Sequence, residues 1–124
     1  LRRHTPHIYS LLSGERINTI IGRSTNKVIK PGEFLSIGVS CRYEGYASVA
    51  RRMAIAGGKG TKEQIEFLEH GLRAYELAVE KFIYGGLEKD VDLAVRNYFK
   101  QQNLAQYQIY SVAHGTGITE CLEA

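Results

Sequence analysis

Residues 34–56 read FLSIGVSCRYEGYASVARRMAIA, and no other stretch constrains the fold as tightly. Leu35, Ile37, Val39, Cys41 and Tyr43 alternate with Phe34, Ser36, Gly38, Ser40 and Arg42. Strict alternation over this length is the signature of a β-strand, because successive side chains leave the backbone on opposite faces. Glu44-Gly45 supplies a two-residue turn, and YASVARRMAIA returns as a second strand. Gly57, Gly58 and Gly60 end it. The hairpin has the shape of a scaffold that presents side chains, yet its one acid, Glu44, sits at the turn.

The flanking segments extend this pattern. HIYSLLSG reads as a short apolar strand closed by Ser13-Gly14, and ERINTIIGRSTNK, without a period, as a surface loop. Lys30-Pro31-Gly32-Glu33 is a turn signal: proline presets φ and glycine accepts positive φ. Thr61 opens a helix, with Gln64 at capping-box spacing. Ile65, Leu68, Leu72 and Tyr75 form its apolar stripe, and Gly85-Gly86 is its stop. A second helix begins near Asp90, with Val91, Ala94, Val95 and Tyr98 on one face. YQIYSVAHGTGI reads as a last strand entering a glycine-bracketed turn at His114. The order predicts an α+β fold: a mostly antiparallel sheet with helices segregated to one face.

The 124 residues suffice for one small domain with its own core. Leu1 is not an initiator methionine and TECLEA lacks a closing element, so residues 1–124 read as part of a larger domain, cut at both ends. The formal charge of +3 is spread along the chain, which argues against nucleic acid as a partner. No apolar run approaches bilayer length and no secretory signal is visible, so no membrane partner and a cytoplasmic location are expected. Cys41 and Cys121 lack metal-type spacing and read as reduced thiols.

Few residues stand out for chemistry. His114, followed by Gly115 and Gly117, leaves backbone room for a ligand. It suits a general base, a metal ligand or an anion donor, or simply a histidine bonded to a neighbouring strand. His4, His7 and His70 read as solvated. GGKGTK at 57–62 lacks phosphate-loop spacing and reads as a hairpin-to-helix connection. Arg51 and Arg52 are adjacent on a strand and so point to opposite faces. One can enter a cleft while the other meets water.

Taken in order, Ser13-Gly14, Thr25-Asn26-Lys27, Pro31-Gly32-Glu33, Gly45-Tyr46-Ala47-Ser48 ending in Arg52, and His114-Gly115-Thr116-Gly117 resemble the creatinase, aminopeptidase P and prolidase family, the pita-bread fold. The likeness runs over nearly the whole chain. It implies that His114 matches the family's histidine ligand, although one histidine cannot hold a metal site by itself, and that the protein is a homodimer. In a metal-independent member, His114, Tyr46 and Arg52 would line the cleft for a small-molecule or peptide ligand, with His114 as the acid–base group and Tyr46 and Arg52 as substrate contacts.

The departures carry as much information. The family's metallopeptidases hold two divalent cations through two hairpin aspartates, and the resemblance places these at Gly38 and Val49. Neither side chain has an oxygen or nitrogen donor. No metal and no other cofactor is therefore expected, although Glu120 and Glu123 lie near His114 in sequence. The closest local likeness is to creatinase, which works without metal through a loop histidine. That position falls on Ile21, which has no proton to exchange. The leading expectation is a metal-independent, repurposed member acting on a small amide, guanidino or amino-acid-like compound. The alternatives are a catalytically dead domain that binds a peptide or protein, and a conventional Xaa-Pro metallopeptidase.

Overall fold

The computed structural model describes residues 7–19, 22–23 and 25–118. They divide into two compact units, one built on a sheet and one on helices.

The first unit is a three-stranded antiparallel sheet of β1 (His7–Ser13), β2 (Phe34–Tyr43) and β3 (Tyr46–Ile55), ordered β1-β2-β3. Glu44 at φ 51° and Gly45 at φ 91° make the tight turn, whose twist matches that of the strands it joins. The turn fixes the register: Gly38 pairs with Arg51, Ser40 with Val49, and Ile37 with Arg52. On the other side Ser10 pairs with Gly38 and Leu12 with Ser36, after an irregularity between Ile8 and Ser10. The base of the hairpin is closed by a turn over Pro31-Gly32. There the Glu33 amide donates to the Lys30 carbonyl at 3.2 Å, and the Gly32 amide to that of Ala56 at 2.9 Å.

The second unit pairs α1 (Lys62–Lys81) with α2 (Glu88–Gln101). Its core is Ala74 and Ala78 from α1 with Val91 and Val95 from α2. Each pair is spaced by four residues and so lies on one helix face. Tyr98, Phe99 and Val112 pack around this cluster, and Phe67 meets Tyr107 edge-on at 5.2 Å. No helix among the described residues is long and apolar enough to cross a membrane.

Four expectations are corrected. The start of the expected loop joins Gly14 in a 3-10 helix, Gly14–Thr19; the Thr19 hydroxyl donates to the Arg16 carbonyl at 2.7 Å and tightens that turn. Ile65, Leu72 and Tyr75 are exposed, and α1 buries alanines instead, because small side chains let α2 approach closely. α1 ends at Lys81 rather than at the glycines, which sit in a following turn closed by the Gly86 amide on the Ile83 carbonyl at 3.0 Å. The final segment is a short 3-10 helix, Ala105–Tyr107, followed by irregular chain with a single bridge at Gly115. Alternation makes a strand only where a ladder forms. Here the Ala47 amide reaches the Gly117 carbonyl at 2.6 Å, and among the described residues no strand is built around it.

Candidate functional site

Three of the short motifs meet in one polar knot. Lys27 donates through Nζ to Glu33 Oε1 at 2.8 Å and Oε2 at 2.6 Å, and to Ser13 Oγ at 3.0 Å. The Lys30 amide adds a bond to Glu33 Oε2 at 3.1 Å. The Lys27 ammonium, with that amide, holds the Glu33 carboxyl below its ordinary value. Gly14 has φ +57°, and a Cβ there would stand 3.0 Å from Glu33 Oε1. Ser13-Gly14, Lys27 and Pro31-Gly32-Glu33 thus tie the end of β1 to the start of β2. Their role is to hold the scaffold.

The face of β2 and β3 that carries Gly38 and Val49 also carries Ser36, Ser40, Arg42, Ala47, Arg51 and Met53. Ser36, Ser40 and Ala47 are buried, as are Ser10 and Leu12 of β1. The face has no carboxylate on either strand. Tyr46 and Arg52 lie on the opposite face, paired with Tyr43 and Ile37. Tyr46 and Tyr43 are each about two-thirds exposed at the hairpin tip. The Arg52 guanidinium donates to the Arg51 carbonyl at 2.9 Å. Of the two adjacent arginines, therefore, Arg51 shares the face of Gly38 and Val49, and Arg52 does not.

His114 is exposed at the end of the helical unit. The residues leading to it, Ser111, Val112 and Ala113, border a cavity of about 300 Å³ with Val91, Asp92 and Arg96 of α2. Val112 also packs on the helix core, which fixes the approach to His114. Asp92 pairs with Arg96 one turn along α2. His70 is not simply solvated: it is half-buried, and its Nδ1 shares a hydrogen bond with the Tyr98 hydroxyl at 2.8 Å. Cys41 is an exposed free thiol. His4, Ile21, Glu120, Cys121 and Glu123 lie outside the described residues.

The sequence reading placed Arg51 and Arg52 on opposite faces and named Arg52 as the substrate contact, and it passed over the buried serines, although a signal existed. Counting outward from the two-residue turn pairs Gly38 with Arg51 and thereby selects one arginine.

Sheet, hairpin and helix pair together define an α+β segment of pita-bread architecture. The chain belongs to metallopeptidase family M24, whose model matches residues 3–123. It is similar to the Xaa-Pro dipeptidase of Pyrococcus furiosus, 30% identical over 108 residues, covering 87% of this chain and 31% of the relative. The structure of prolidase from Pyrococcus furiosus superposes with a TM-score of 0.84 at 29% identity, over 90% of this chain and 33% of that one. An Xaa-Pro dipeptidase from Bacillus anthracis gives 0.82 at 28%, over 92% and 32%. The chain thus spans about a third of the length of these relatives.

The family name implies a metal, and the described residues do not fit one. Gly38 and Val49 offer no side-chain donor atom, and the charged residues on their face of β2 and β3 are Arg42 and Arg51. Among the described residues no group of three or more His, Cys, Asp or Glu could hold a metal ion.

Proposed function

We propose that this chain belongs to a metal-independent member of its family, acting on a small amide, guanidino or amino-acid-like compound. One observation carries the reading: Gly38 and Val49 share a sheet face whose charges on β2 and β3 are both positive. A divalent cation needs anionic or neutral oxygen and nitrogen donors, and arginine beside it raises its energy. His114 is the acid–base group in this reading, and Tyr46 and Arg52 are substrate contacts. In this reading the protein is cytoplasmic and, as the resemblance implies, a homodimer. The test is turnover of amide and guanidino substrates by the full-length protein, stripped of metal and verified by elemental analysis. Activity that survives stripping and falls in His114→Ala supports the reading. Activity that appears only with added manganese, cobalt or zinc returns the protein to conventional Xaa-Pro metallopeptidase chemistry, as the names of its relatives suggest.

A second reading has its own observation. Tyr43 and Tyr46 face each other across the hairpin tip, largely exposed, on the face that carries Arg52. Exposed tyrosine and arginine are the residues that anchor protein interfaces. A non-catalytic domain would bind a peptide or protein there. Undiminished partner binding in a Tyr43→Ala, Tyr46→Ala double variant would remove this reading.

A further inference from the structure

We infer that the sheet face of Gly38 and Val49 binds the carboxylate of a small acid, with Arg51 as its cation and buried serine hydroxyls beside it. The inference rests on the proposed reading only for the size and class of the ligand; the charge of the face is independent of it.

The register lays Ser10, Gly38 and Arg51 in one row across the three strands. Ser36 and Ser40 stand in the rows on either side, on the same face. Neighbouring strands are about 4.8 Å apart, so Ser10 and Arg51 flank Gly38 directly, while Ser36 and Ser40 stand about 7 Å from it along β2, one on each side. Ser10 is 3% exposed and Ser36 and Ser40 are nearly as buried. The Ser10 hydroxyl is buried without a hydrogen-bond partner. An unmet hydroxyl at such depth is unfavourable, and an acceptor placed beside it relieves that cost.

The chemistry of the row selects the acceptor. Hydroxyls and a guanidinium donate, and no carboxylate on β2 or β3 faces them. Arg42 adds a second positive charge on the same face, with Nη1 3.5 Å from the Ile118 carbonyl. A guanidinium has five donors, so Arg51 serves a ligand as well as partners within the protein. Its planar fork matches a carboxylate, and Arg51 is the one cation in the Gly38 row, Arg42 standing further along β2 opposite Ala47, which favours a monoanion over phosphate. Where relatives of this fold would place carboxylates around cations, this chain places a cation and hydroxyls around an anion.

The test uses the full-length, metal-stripped protein and titration calorimetry with N-acetylglycine, its methyl ester, inorganic phosphate and manganese. N-acetylglycine is expected to bind, and the uncharged ester roughly tenfold more weakly or not at all. Arg51→Gln weakens binding by roughly tenfold, Arg51→Lys restores part of it, and Arg73→Gln at an exposed position of α1 outside the proposed site leaves it within about twofold. Ser10→Ala weakens binding without lowering the thermal midpoint of the free protein, because its hydroxyl has no partner to lose. Thermal midpoints near wild type establish that each variant is folded. Equal binding of acid and ester, equal loss in the Arg51 and Arg73 variants, tighter binding of phosphate, or stoichiometric manganese would each overturn the inference. Failure of both acid and ester to bind would also overturn it, while metal-free turnover, measured separately, would still stand.

Discussion

Glu33 shows what one residue of this chain does. Its carboxylate takes two hydrogen bonds from Lys27 and one from the Lys30 amide, which joins two turns and the end of β1. Because the folded carboxyl titrates below its ordinary value of 4.5, the unfolded chain takes up this proton first as pH falls. The stabilisation is therefore complete above that value and is lost as pH drops through the lowered one. Glu33→Gln should lower the thermal midpoint at neutral pH, and the gap to wild type should close as melting is followed from about pH 7 to about pH 3. A gap that stays constant with pH would show that packing, not charge, ties these turns. Gly14→Ala should cost roughly 1–2 kcal/mol in chemical denaturation, since its φ of +57° and the nearby Glu33 oxygen both disfavour a Cβ. The motif Ser13-Gly14 was legible as a family mark; that it is half of a knot with Glu33 required the third dimension.

At the scale of elements, the helix pair separates what periodicity reveals from what it cannot. Both helices were legible, and α2 buries Val91 and Val95 as its spacing suggests. α1 does not follow its most apolar stripe. Leu72 is 59% exposed while Ala74 and Ala78 are nearly fully buried. A helix shows all its faces in sequence, and only the neighbour's position decides which is covered. Val95→Ala should therefore destabilise by roughly 2 kcal/mol, through two lost methyl groups and the cavity they leave. Leu72→Ala should change stability by no more than about 0.5 kcal/mol. Denaturant midpoints of the two variants would check this, and a larger loss in the Leu72 variant would contradict the assigned core. The last segment gives the opposite lesson. Tyr107–Ile118 alternates like a strand, but Gly115 and Gly117 interrupt it; among the described residues it makes a bridge at Gly115, and the Gly117 carbonyl accepts a bond from the Ala47 amide of β3.

On the scale of the molecule, the question is whether a metal is linked to folding. A cation that binds the native state raises its stability by mass action, and removing it lowers the thermal midpoint. With Gly38 and Val49 in place of donors, the melting curve of the full protein should not move on adding a chelator, nor with millimolar manganese. A fall of several degrees with chelator would mean that residues outside the described segments complete a site after all.

The sequence by itself determined the antiparallel hairpin, the two helices and the family. Alternation, a two-residue turn and helix-opening residues are local, and their physics acts within a few positions of the chain. It also identified Gly38 and Val49 as positions without ligands, since donor chemistry belongs to the residue. Tertiary structure decided which side chains share a surface. The register set Arg51 rather than Arg52 beside Gly38, brought Ser10 into the same row, and drew Lys27, Glu33 and Ser13 together. These pairings depend on strands and turns that are distant in sequence, where a slip of one residue would reverse every face.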